Sequence, residues 1–113
     1  MRARGADAEN LAAAFLQQAG LVLVARNYRC RFGEIDLIAR ESVTLVFVEV
    51  RMRSSARFGG AAASITAAKQ KKLLRTARHY LAGIARAPAC RFDALLINGR
   101  DNSIEWLKNA FAE

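Results

Sequence analysis

Two carboxylates stand where an apolar strand does not ordinarily tolerate them. Glu49 closes the segment Val43 to Arg51, Val-Thr-Leu-Val-Phe-Val-Glu-Val-Arg, which is apolar on both alternating faces up to that point. Asp36 interrupts a second strand-like segment, Glu34 to Arg40, between Ile35 and Leu37. An ionised group left without a partner in an apolar medium costs several kcal/mol, so acids at such positions carry a function or a partner. The side-chain period of two sets Asp36 on one face with Glu34 and Ile38, and Glu49 on one face with Arg51 and Arg53. Acids on neighbouring strands that face one point are hard oxygen ligands. They suit Mg²⁺ or Mn²⁺, which bind through one or two carboxylates together with a substrate phosphate. The chemistry is then phosphodiester hydrolysis, with the ion polarising the phosphate and acidifying a water. Plain ion pairing of Glu49 with Arg51 and Arg53 is the competing explanation, and the residues alone do not separate the two.

The elements that must position these acids follow from periodicity. Val43 to Arg51 needs cover on both sides and belongs at the centre of a sheet. Leu21 to Tyr28 and Glu34 to Arg40, separated by a short polar stretch with Gly33, read as paired strands. Ahead of them Ala8, Leu11, Ala12, Phe15, Leu16 and Ala19 fall at helical spacing, and Gly20 follows where a left-handed cap ends a helix. Glu9 lies roughly 80° from the centre of that apolar stripe, at ~100° per residue, on its flank. Residues 54–64 are small, glycine-containing and without period, which predicts an irregular connection beside the acids.

A second helix is expected from Ser64 or Thr66 to about Arg86, before Pro88, with Leu73, Leu74, Ala77, Tyr80, Leu81 and Ile84 as its apolar stripe. Lys71, Lys72, Arg75, Arg78, His79 and Arg86 occupy the rest of its circumference, and Lys69 stands on the flank of the stripe. Lys69 reads either as a solvated first-turn lysine or as a cation reaching the acids. His79 has no partner motif and is assigned to the surface without a catalytic role. Strands Phe92 to Asn98 and Ser103 to Leu107, joined by a turn at Gly99-Arg100-Asp101-Asn102, complete the chain.

A length of 113 residues fits one domain, 1–113, and 53% hydrophobic residues supply a core. The net charge of +8 attracts polyanions through counterion release, which points to DNA or another nucleic acid. Arg53, Arg57, Lys69, Lys71, Lys72 and Arg75 are the expected nucleic-acid-binding residues. Two isolated cysteines, Cys30 and Cys90, form no ligand cluster and suit a reducing cytoplasm. No apolar run is long enough for a membrane span or a secretion signal.

Several stretches together resemble the YraN family of uncharacterised bacterial proteins. They are Gly33-Glu34-Ile35-Asp36-Leu37-Ile38-Ala39, Val46-Phe47-Val48-Glu49-Val50-Arg51, Arg57-Phe58-Gly59, Lys69, Arg91-Phe92-Asp93 and Asn109-Ala110-Phe111. That family is similar in its motifs to the PD-(D/E)XK nucleases, and most of all to archaeal Holliday-junction resolvases. The resemblance implies an α/β, restriction-endonuclease-like fold, a mixed central sheet flanked by helices in the order αβββαββ. It implies Asp36, Glu49 and the Val50 carbonyl as metal ligands, Glu9 as a helix-borne glutamate added to the site, branched DNA as substrate, and a homodimer. The expected catalytic group is Glu9, Glu34, Asp36, Glu49 and Arg51.

The chain departs from that pattern where it matters chemically. Two residues after Glu49 the nucleases carry a lysine, and here Arg51 stands there. A guanidinium stays protonated, so Arg51 can stabilise charge on a phosphate but cannot accept a proton. Cleavage is therefore expected to be weak or absent, and a non-catalytic nucleic-acid-binding or protein-interaction scaffold is the alternative. A double-stranded-RNA-binding domain shares the early element order. It leaves one sheet face in water, which the doubly apolar strand at Val43 to Val50 argues against.

Overall fold

Within the described residues, 4–53 and 65–111, the computed structural model forms the expected order of elements. These are α1 (Arg4–Gln18), β1 (Val22–Cys30), β2 (Gly33–Glu41), β3 (Thr44–Arg53), α2 (Ala67–Leu81), β4 (Cys90–Asn98) and β5 (Ile104–Phe111). The five strands make one sheet in the order β1-β2-β3-β4-β5. β1, β2 and β3 run as an antiparallel meander, β3 and β4 are parallel, and β5 returns antiparallel to β4. The parallel pair requires a crossover, and α2 lies in that crossover between β3 and β4.

β3 is the middle strand, as its sequence demands. Val46 and Val48 point to one side, where they pack with Leu37, Ala39, Leu95 and Ile97 beneath Ala8, Ala12 and Leu16 of α1. Leu45 and Phe47 point to the other, against Ile38, Phe92 and Ala94 and beneath Leu73 and Ala77 of α2. Burying each such side chain contributes about 1.5–3 kcal/mol, which is why a segment apolar on both faces takes the centre.

Helix ends follow local chemistry. Gly20 at φ +98 closes α1, the Leu21 N–H returns to the Leu16 carbonyl at 3.0 Å, and both leucines are buried there. Thr66 caps α2, its hydroxyl accepting from the Lys69 N–H at 3.2 Å, so of the two candidate caps it is Thr66 that serves. α2 stops at Leu81, five residues short of the expected Arg86. Gly83 and Ile84 donate to the carbonyls of Tyr80 and Leu81 in tight three-residue turns, and the chain then carries the Ala89 carbonyl to the Leu45 N–H at 2.9 Å. β5 in turn runs past the expected Leu107 to Phe111, which is buried and stacked on Phe92 with centroids 4.9 Å apart. A register shift between Phe92 and Ala94, with Asn109 at φ 54, absorbs the polar residues that hid this extension. The connection expected over residues 54–64, with Arg57, lies outside the described residues.

Candidate functional site

The sheet forks at the two acids. β2 and β3 pair from Glu41 opposite Thr44 to Leu37 opposite Val48 and no further. Beyond that point β2 stays with β1, through Ile35, Glu34 and Gly33, while β3 stays with β4, from Glu49 to Arg53. Asp36 and Glu49 are thus the first residues of the two arms. The parting leaves the Val50 N–H without a strand partner, and Asp36 Oδ2 accepts its hydrogen bond at 2.8 Å. In an extended strand the N–H and carbonyl of one residue leave on the same edge, so the Val50 carbonyl also faces the fork.

Four carboxylates gather there from three elements. Glu9 of α1, Glu34 and Asp36 each offer an oxygen, and these atoms lie within 4.8 Å of one another. Glu49 shares a hydrogen bond with Asp36 and an ion pair with Arg51, Oε2 to Nη2 at 2.9 Å, its side chain 14% exposed. Glu34 is also paired with Arg29 at 3.4 Å. α1 and α2 cover opposite faces of the sheet, so Glu9 enters the fork from one side and α2 meets it from the other. A pocket of about 220 Å³ opens on the α2 side, lined by Gly33, Glu34, Asp36, Glu49, Arg51, Lys69, Lys72 and Leu73.

Electrostatics match this crowding. Burial and the neighbouring Asp36 push Glu49 up to about 7, against the pull of Arg51 and Lys69. Asp36 is also raised, by burial and by Glu34, although the Val50 N–H and Glu49 stabilise its anion. Below about pH 7 Glu49 is thus protonated and can donate to the Asp36 carboxylate. The donors are all oxygen, two of the carboxylates sit in a half-buried notch, and a cation displacing that proton would relieve their repulsion. The set fits a hard divalent ion. Among the described residues the buried Nε of Arg51 has no acceptor, so that guanidinium keeps a donor to spare beside the pocket.

The same proton makes stability depend on pH. The folded chain holds it more tightly than the unfolded chain, so the contribution of Glu49 is complete below about pH 4.5 and is lost as pH rises through about 7. At 1.36 kcal/mol per unit the effect is at most about 3 kcal/mol. In a chelator, Glu49→Gln should be more stable than wild type at pH 8 by about 1–3 kcal/mol, the difference closing toward pH 5 in denaturant titrations. A Glu49→Gln protein that is less stable at pH 8 would mean that the Arg51 ion pair is what Glu49 is for.

The other sequence candidates divide. Lys69 and Lys72 line the pocket, whereas Lys71 and Arg75 are exposed on α2 outside it. Arg53 ends β3 opposite Asn98; its side chain and all of Arg57 lie outside the described residues. His79 is exposed as expected, with a hydrogen bond between its Nδ1 and Tyr28 Oη at 2.6 Å.

One group entered the sequence reading only as the stretch Arg91-Phe92-Asp93 of the family resemblance, with no role assigned to it. Asp93, fully buried on β4, accepts from Arg91 Nε at 3.0 and 3.2 Å, from Trp106 Nε1 at 2.9 Å and from the Asn109 N–H at 2.9 Å. Arg91 continues to Glu41 at the far end of β2. Its visible signal was an Arg-x-Asp alternation inside an apolar strand. The site is structural: it ties the β5 bulge to β4 and β4 to the β2–β3 turn.

A family model described as "Uncharacterised protein family UPF0102" matches residues 8–97, the span from α1 through most of β4 that contains all four fork carboxylates, Arg51 and Lys69. A UPF0102 protein of Nitrosomonas europaea is 71% identical over 97% of this chain and 94% of its own length. One from Methylobacillus flagellatus is 59% identical over 99% of both chains, and one from Psychromonas ingrahamii 49% identical over 97% of this chain and 90% of its own.

Proposed function

This chain belongs to the uncharacterised protein family UPF0102, and we propose that it is a metal-dependent endonuclease acting on structured or branched DNA. One observation carries the reading: a sheet that opens at Asp36 and Glu49 and fills the opening with carboxylates under a cationic rim. Asp36, Glu49 and the Val50 carbonyl would hold Mg²⁺ or Mn²⁺, with Glu9 and Glu34 as further oxygen donors on the α1 side. Bound there, the ion would supply Lewis-acid polarisation of the phosphate and a more acidic water.

The chain's own residues do the rest. Asp36, pinned by the Val50 N–H, keeps its oxygens aimed into the fork. Arg51, oriented by Glu49 and with its Nε free to donate, neutralises charge building on the phosphate. Lys69 and Lys72 close the opposite wall and draw the DNA backbone in. Arg53, Arg57, Lys71 and Arg75 would extend that attraction beyond the pocket, and two copies would match a two-fold junction. The reading assigns the protein to the cytoplasm, for which Cys30 and Cys90, neither joined in a disulfide, are suited. None of the described helices is long and apolar enough to cross a membrane.

No side chain in this scheme takes a proton from the attacking water in the way a lysine at position 51 would. That single feature favours the second reading, a binding or scaffold protein that keeps the fork without cutting. Labelled four-way junctions, flaps, duplex and single strands incubated with Mn²⁺ or Mg²⁺ decide between them. The expected result is slow, metal-dependent cleavage that rises about 10-fold or more in Arg51→Lys, since a positioned base is worth at least that. No cleavage of any substrate by either protein would leave the scaffold.

A further inference from the structure

Beside the fork lies a constellation that the proposed cleavage chemistry does not use. The β1–β2 connection is a two-residue turn, Arg31-Phe32, between the paired residues Cys30 and Gly33. Turns of this length call for Asn, Asp or Gly, and neither residue here is one of those. Phe32 is half-exposed and is packed into neither core cluster. Its ring stands at 63° to that of His79, centroids 6.0 Å apart, and carries the Arg31 guanidinium 4.9 Å from its centre. His79 is in turn held by Tyr28, which rests edge-on against Tyr80 with centroids 5.1 Å apart.

This aromatic shelf is continuous with the fork. The turn abuts α2 so closely that a Cβ on Gly33 would meet Thr76 Oγ1 at 3.1 Å and Lys72 Cβ at 3.9 Å. Gly33 and Lys72 both line the pocket, and Phe32 immediately precedes Gly33, ~3.8 Å away between Cα atoms. On α2 the exposed residues Lys72, Arg75 and His79 fall within about 60° of one another and form a cationic flank that starts at the pocket and ends at the shelf. A ring left partly open to water forgoes burial free energy, and cations around it repel a cationic ligand. The surface suits an anion with a flat π face.

We propose that Phe32, backed by His79 and flanked by Arg31 and Lys72, is a stacking platform for an unpaired nucleobase beside the phosphate at the fork. The substrate class is then nucleic acid with a single-stranded segment at the cleavage point. This rests on the nuclease reading above. Bases within a duplex have both faces covered by their neighbours, whereas an unpaired base offers its face to an aromatic ring whatever its sequence. Arg31, exposed and without an ion-pair partner among the described residues, yields the ring to the base and turns to the adjacent phosphate.

The test is a binding titration of the full chain, in chelator, against a single-stranded oligodeoxynucleotide carrying a fluorescent purine analogue and against the same strand in duplex. Wild type should bind the single strand more tightly and quench the analogue. Phe32→Ala and Phe32→Leu should each lose about 10-fold on the single strand, as expected for one stacked base, with duplex affinity within about twofold of wild type. Phe32→Trp should bind as wild type does. Single-strand affinity and quenching unchanged in Phe32→Leu would overturn the platform while metal-dependent cleavage by wild type left the nuclease reading in place. A wild-type chain that binds neither form would overturn both.

Discussion

Asp36→Asn and Glu49→Gln should each lower metal-dependent cleavage by more than about 100-fold, because mutating even the outer partners of a metal ligand costs 10–100-fold. These substitutions are chosen over alanine for their shape. The amide introduced by Asp36→Asn still offers an oxygen to the Val50 N–H, so the fork stays capped while its charge is lost. Glu49→Gln keeps a hydrogen bond to Asp36 and removes only the titrating proton. Both proteins should retain salt-sensitive DNA binding, since phosphate contacts come from the basic groups rather than from the acids. Loss of DNA affinity in step with cleavage would show that the acids organise the binding surface instead of the reaction.

The largest effect on stability is expected far from the fork. Asp93→Ala should cost about 3–5 kcal/mol, the range for removing one partner of a buried, hydrogen-bonded charge pair. The carboxylate is fully buried and receives donors from Arg91, Trp106 and Asn109. Its removal strands the Arg91 guanidinium, one nitrogen of which already lacks an acceptor, and frees the β5 bulge. Arg91 itself is held well protonated by Asp93 and Glu41. Urea unfolding gives the number directly, and a loss under about 1 kcal/mol would place the pair with surface ion pairs.

The contrast between these two sites explains what the sequence made legible. β3 at the sheet centre was readable because Val46, Val48, Leu45 and Phe47 leave no polar face for water. Asp36 and Glu49 were readable because they are charges in apolar strands. That Glu9 reaches Asp36 was implied only by the family resemblance and not by any local pattern, since it depends on the strands parting after Leu37 and Val48, a tertiary event that opens the sheet to α1. The end of α2 and the length of β5 were misplaced for a related reason. Gly83 and the Asn109 bulge obey contacts made by Leu45, Phe92 and Asp93, residues remote in sequence. Asp93 stood in a stretch that carries the resemblance, but its role was hidden until its donors were assembled around it. The Phe32 shelf needs α2 beside the β1–β2 turn, which no local pattern announces.

The central claim is that the fork is a metal site, and calorimetric titration of Mn²⁺ into the apoprotein at about pH 6.5 tests it without recourse to catalysis. Wild type should bind with a heat that depends on the ionisation enthalpy of the buffer, because the proton held by Glu49 at about 7 must leave as the ion enters. Asp36→Asn should show no such binding. Mn²⁺ that binds Asp36→Asn as tightly as wild type, or binds wild type with no proton released, would contradict the account.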